Sequence, residues 1–269
     1  MVTVNRYKPP TKMAGGPKDA ETLRQAFLEH GFPPDHIKVL TEQAATAANI
    51  RTEMDRMASQ AGANSLSALY FAGHVKQKRG DVDRDGEDVD EFLWTWDNQF
   101  ISDAELGHRM RAVPGRVWVA ISGCEAAGFD DGIASPRHLF TASSKETENS
   151  YTIADGHSVF GGLMVRDALL GGHGDADGNG AVSLQEAFNH ALELAPRQTV
   201  DSSNGPQTPQ IAGGDGNEWF LQPPAPAQAA TAGTCVAGVC LPPPVPALPL
   251  PPLPLPPLPI PGAPPLLTY

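Results

Sequence analysis

Basic charge is what this chain has least of. Across 269 residues, 19 lysines and arginines face 31 aspartates and glutamates, for a net charge of −12 at neutral pH. A surface of that sign repels phosphate, which argues against nucleic acid or anionic lipid as a general partner. Long apolar runs are also missing. None approaches the roughly 20 residues of a membrane span, so no span is expected. Three cysteines are too few for a disulfide framework in a chain of this length. No GxxxxGK phosphate loop occurs, and His30, His36, His108, His138, His157, His173 and His190 show no i, i+4 or HExxH grouping. What remains is a 41% hydrophobic fraction, sufficient for a core, and an uneven load of 27 prolines.

Well over half of those prolines lie beyond Gln222, and 241–267 is little more than Pro and Leu. Proline lacks an amide donor and fixes φ, so neither a helix nor a sheet ladder runs through such a stretch. The chain therefore divides into a folded domain (1–222), a linker (223–241) and a Pro-rich tail (242–269) expected to be disordered, with polyproline II as its regular option. Such a tail reads as a stiff spacer or as a ligand for a protein or cell-envelope partner. Cys235 and Cys240 in the linker have no further zinc ligands beside them and suit a small disulfide loop. That pairing leaves Cys124 as the odd thiol and favours a secreted or envelope location over the cytoplasm. The opening "MVTVN" is short for a buried first strand, so that strand is expected to begin upstream of Met1.

Within the domain, strand and helix signals alternate. Strands are expected over Met1–Tyr7, Ile37–Leu40, Ser65–Phe71, Val117–Ile121 and Leu139–Thr141. Helices are expected over Ala20–His30, Thr46–Gln60, Ser102–Arg111 (a capping box with Glu105), Val159–Leu170 and Ser183–Leu194. Pro209–Ile211 and Trp219–Leu221 read as a closing hairpin. The alternation predicts an α/β fold, a mainly parallel central sheet flanked by helices.

Reactive groups gather beyond the carboxyl ends of parallel strands. Two apolar strands end at Gly73-His74 and at Ser122-Gly123-Cys124. An imidazole beside a thiol can take its proton and later return one to a leaving amine. The glycines allow close backbone approach to a substrate, and amides flanking Cys124 can stabilise an oxyanion. Separately, 175–186 ("DADGNGAVSLQE") fills every position of a calcium-binding EF-hand loop: Asp175, Asp177, Asn179, the Ala181 carbonyl, Ser183 and bidentate Glu186. Oxygens at alternate positions let such a loop wrap a hard cation. The bland reading of the same residues is an Asp/Gly-rich turn capping a helix.

"LYFAGH" ending at His74 and "VWVAISGCEAAGF" around Cys124 resemble the caspase-like cysteine peptidases, which include metacaspases, legumain-type enzymes and bacterial relatives. The likeness extends through "VNRY", "GPKDAETLRQAFLEHGF", "IKVLTEQAATAANI", "TASSKETENSY" and "TPQIAGG". It implies a caspase-like three-layer sandwich and cleavage of peptide or protein substrates by a His74–Cys124 dyad. The amides near Val75 and Cys124 would form the oxyanion hole. Val75 replaces the family's usual Gly, Ser122 its common acidic residue, and Glu125-Ala126-Ala127 its usual Ser-Gly region. A neutral Ser122 cannot neutralise a buried Arg or Lys, so that side-chain preference does not transfer. The resemblance also marks the acidic stretch with Asp81, Asp83 and Asp85 as a second candidate calcium site, although its twelfth position is Phe92. Asp97 and Asp103 lie in a segment similar to one that relatives place beside the cleft. The rival readings are a catalytically silent calcium-binding scaffold and an envelope-associated module.

Overall fold

The computed structural model describes residues 1–9, 16–84 and 86–221, with the backbone of 235–236, 239–240 and 267–268. β1 (Val2–Thr3) is followed by α1 (Asp19–Glu29), β2 (Leu40–Thr41), α2 (Ala47–Gln60) and β3 (Leu66–Ala72). An antiparallel excursion then runs through β4 (Val75–Arg79), β5 (Val89–Trp94) and β6 (Phe100–Ser102). Next come α3 (Asp103–Arg111), β7 (Arg116–Ser122), α4 (Asp130–Ile133), β8 (His138–Ala142) and β9 (Tyr151–Thr152). α5 (Val159–Gly161) continues as a π-helix over Gly162–Leu170, and α6 (Leu184–Thr199) and β10 (Gln210–Gly213) close the domain.

The central sheet has the order β10-β8-β7-β3-β1-β2. Every neighbouring pair is parallel except β10 with β8. β7 shows why the sheet sits between two helical layers. Successive strand side chains point to opposite faces, so Trp118 and Ala120 join one core while Val117, Val119 and Ile121 join the other. The first core holds Leu23 and Phe27 of α1, Met164 of the π-helix and Phe188 of α6. The second holds Ile50 and Met54 of α2 and Leu106 and Met110 of α3. Each fully buried Leu, Phe or Met contributes roughly 1.5–3 kcal/mol. The expected three-layer α/β arrangement is what the chain forms.

Boundaries differ locally. The strand expected over Met1–Tyr7 is laddered at Val2–Thr3, with Val4 N–H still donating to Ala72 O at 2.9 Å. α6 runs past Leu194 to Thr199, through Pro196. At the start of α3, Ser102 accepts the Glu105 N–H as expected. The Glu105 carboxylate, however, binds Arg51 and Arg109, so the capping box is only half made. The closing hairpin does not form. Gln210–Gly213 takes the free edge of β8 instead, and Trp219 is a buried core residue whose carbonyl accepts the Leu184 N–H. The acidic stretch leads into β5, where Asp90 and Glu91 are buried along with Phe92 and Leu93.

Beyond the domain, Cys235 lies opposite Cys240 in a two-stranded pair, and Leu267–Thr268 runs antiparallel to β9. The expected disulfide falls on side chains outside the described ones. The expected disorder of 242–269 likewise falls outside the described residues, save for the laddered Leu267–Thr268.

Candidate active site

β3 and β7 pair in parallel from Leu66↔Arg116 to Ala72↔Ser122, so the residues that follow them leave the sheet side by side. Gly73 N–H donates to Ser122 O at 3.1 Å. A side chain at Gly123 would lie 2.7 Å from Gly73 O and 2.9 Å from Val75 Cγ2, so this crossing requires glycine. A side chain at Gly73 would lie 2.6 Å from the Tyr7 hydroxyl. Both glycines thus serve packing within the protein. His74 and Cys124, one residue further on, stand half-buried at the carboxyl end of adjacent strands.

The peptide before Cys124 is tied down by three serines that sequence reasoning missed. Ser143 Oγ accepts the Gly123 N–H at 3.0 Å, and the hydroxyls of Ser143, Ser144 and Ser150 donate to Gly123 O at 2.6–2.9 Å. The Ser150 N–H points at Cys124 Sγ from 3.4 Å. After the cysteine, Glu125 takes a left-handed backbone, φ 59°, and its N–H donates to Glu148 O at 2.8 Å. Burial raises the Glu125 carboxyl above its ordinary value, with Lys76 opposing and Glu146 adding to the shift.

His74 is held through its backbone and its ring. Its N–H donates to the Tyr7 hydroxyl at 2.6 Å and its carbonyl accepts the Trp94 N–H at 3.0 Å. The Tyr7 and Trp94 ring centroids lie 4.9 and 5.9 Å from the imidazole. That Trp94-to-His74 bond makes Val75↔Leu93 a non-hydrogen-bonded pair of the antiparallel ladder, so the Val75 N–H is turned away from β5. A β-branched residue therefore keeps a donor facing off the ladder. Ser122 is fully buried, and its hydroxyl has no hydrogen-bond partner among the described residues. It lies inside the protein, not on an open wall.

The acidic residues form three groups with carboxylate oxygens within 4.8 Å of one another: Asp175, Asp177 and Glu186; Asp81, Asp83 and Asp90; and Glu87, Asp103 and Asp131. In the first, Glu186 completes a capping box with Ser183, Asn179 bonds Asp177, and Asp175 Oδ1 is buried without a partner among the described residues. Both readings of the loop, helix cap and oxygen cradle, therefore share the same atoms. In the second, Asp90 joins the expected Asp81 and Asp83, while the expected Asp85 lies outside the described residues. The hairpin brings Asp90 back against the loop, where Oδ2 accepts the Val82 and Asp83 N–H groups. Among the described residues no N–H or O–H donor reaches Asp90 Oδ1 or the Asp83 carboxylate, which faces Asp103. Buried, unpaired oxygens of this kind fit a hard cation. Asp103 is pushed up to about 7, first by burial and next by its hydrogen bond with Asp83. Asp97 holds α2, accepting from Ala47 N and Thr95 Oγ1.

The caspase-domain family model (Peptidase_C14) matches residues 1–211. Among curated proteins none matches. Among solved structures, protein GSU0716 from Geobacter sulfurreducens superposes with a TM-score of 0.59 at 17% identity, over 79% of this chain and 93% of that one. At that identity the likeness is one of fold.

Proposed function

The chain belongs to the caspase-domain family of cysteine peptidases, and on that footing we propose that it is an endopeptidase working through Cys124 and His74. The observation that supports the reading is the Gly73–Gly123 crossing, from which the His74 and Cys124 backbones leave neighbouring strands at the same end of the sheet. His74 takes the thiol proton, and the Cys124 thiolate attacks the peptide carbonyl. The tetrahedral oxyanion is received by the amides of Val75 and Cys124. Collapse breaks the C–N bond, the amine leaves with the proton from His74, and water activated by His74 hydrolyses the thioester. Locking the Gly123 peptide with three serine hydroxyls keeps the nucleophile's backbone fixed through both steps. Neutral, buried Ser122 provides no carboxylate for a basic side chain, so the preferred residue is set elsewhere in the cleft.

We also propose that calcium binds the protein. Asp175, Asp177, Asn179, the Ala181 carbonyl, Ser183 and Glu186 would hold one ion, and Asp81, Asp83 and Asp90 a second. Bound there, calcium neutralises carboxylates that otherwise repel one another.

The test is covalent labelling. A peptidyl acyloxymethyl ketone is expected to modify Cys124 in the wild type and to lose that reaction in His74→Ala. Equal labelling of both proteins contradicts the dyad.

A further inference from the structure

His74 is gripped by an aromatic pair that comes from two distant segments. After Val4 the chain leaves the sheet and crosses the end of β3, which puts Tyr7 against His74. Tyr7 is 6% exposed. The segment is stitched to the β5–β6 turn: Lys8 N–H donates to Trp96 O at 3.1 Å, and Asn98 Nδ2 donates to Lys8 O at 2.9 Å. Trp94 arrives from β5, its ring 6.2 Å from that of Tyr7. The imidazole thus has an aromatic ring from each segment near it, while the His74 backbone N–H donates to the phenol oxygen and the His74 backbone carbonyl accepts from the Trp94 amide. Gly73 is what makes room for the phenol.

We propose that Tyr7, with Trp94, is the positioning device of the proposed dyad: it fixes His74 beside Cys124 and favours the imidazolium form. Two physical effects act together. The 2.6 Å hydrogen bond anchors the His74 backbone, and a side chain anchored at its root samples fewer rotations. Electron-rich ring faces attract a cation more than a neutral ring, so the pair favours charged His74. Charged imidazole in turn stabilises the neighbouring thiolate. The phenol stays protonated, because burial holds its titration well above the ordinary range, with Glu42 adding to the shift. Around the cysteine, Lys76 on β4 and Glu146 act on the Glu125 carboxyl with opposite signs.

This inference rests on the His74–Cys124 reading, and one experiment separates the two. Iodoacetamide alkylation of Cys124 is followed against pH, the site being read by peptide mass mapping. Sulfur displaces iodide in this reaction, and the rate reports the thiolate fraction. In the wild type the inflection is expected below the thiol's ordinary value of about 8.5. Tyr7→Phe keeps the ring and removes the oxygen. Its inflection is expected to rise by about one pH unit, so that the rate at pH values well below the wild-type inflection falls about tenfold while the high-pH plateau is unchanged. Trp94→Leu moves the inflection the same way and serves if the first variant is unstable. A merely structural role would lower melting temperature and leave the inflection in place. A depressed wild-type inflection shared by folded Tyr7→Phe and Trp94→Leu overturns the positioning role alone. An ordinary wild-type inflection, unchanged in His74→Ala, overturns the dyad and this inference with it.

Discussion

Asp19 illustrates how far a single buried group departs from its surface behaviour. Its carboxylate, 1% exposed at the start of α1, accepts from Tyr70 OH at 2.6 Å and from the Ser158 hydroxyl and N–H at 2.5 and 3.0 Å. Burial dominates nevertheless and pushes its pKa from 3.8 to about 6. The folded protein therefore keeps a proton that the unfolded chain releases from about pH 4 upward. Asp19's contribution is complete below the lower value and is lost as pH rises through the higher one. Melting temperature against pH is expected to decline over that window in the wild type. The decline should be flatter in Asp19→Asn, which is less stable overall because its amide faces hydroxyl donors. Parallel profiles for the two proteins contradict the assignment. At this scale the sequence is legible only in part. His74 and Cys124 stand out because each ends an apolar strand beside a glycine. Tyr7 does not, since its bond to His74 spans 67 positions of chain. Ser143, Ser144 and Ser150 are equally silent, because only the folded loop aims their hydroxyls at one carbonyl.

Loops and helices behave as their local chemistry directs, with exceptions where tertiary contacts compete. Thr46 caps α2 by accepting the Asn49 N–H, and Ser183 with Glu186 caps α6, both readable from residue type and spacing. Glu105 abandons its cap for Arg51 and Arg109, because guanidinium partners from across the fold offer stronger charge-assisted bonds. Asp90 was missed as a member of the second acidic site because linear EF-hand spacing looks to Phe92, whereas a hairpin brings the carboxylate back. Millimolar calcium is expected to raise the melting temperature, the gain at about 100 times Kd being about 2.7 kcal/mol per site. Glu186→Gln should remove one part of that rise and Asp90→Asn the other. The comparison is the calcium-induced shift, not the absolute temperature, because Glu186 also caps α6. A wild-type temperature indifferent to calcium, relative to excess chelator, contradicts both sites.

At the scale of the whole molecule, the sheet is what brings residues 74 and 124, far apart along the chain, to adjacent strand ends. Hydrophobic alternation in the strands and amphipathic helices on both faces suffice to predict a three-layer α/β domain. The order β10-β8-β7-β3-β1-β2 is not readable from periodicity alone, because pattern identifies elements and not their neighbours. It matters here because β3 beside β7 is the adjacency that brings residues 74 and 124 to neighbouring strand ends. The domain's final strand shows the same limit: β10 pairs with β8, while Trp219 fills the core instead of extending a hairpin. Proteolysis by Cys124 is tested by incubation with a mixed peptide library, read by mass spectrometry. The wild-type protein is expected to cleave peptides internally after a restricted set of side chains, and Cys124→Ala to leave the library intact. A library untouched by the wild type with and without millimolar calcium, or cut equally by both proteins, would contradict the assignment of proteolysis to Cys124.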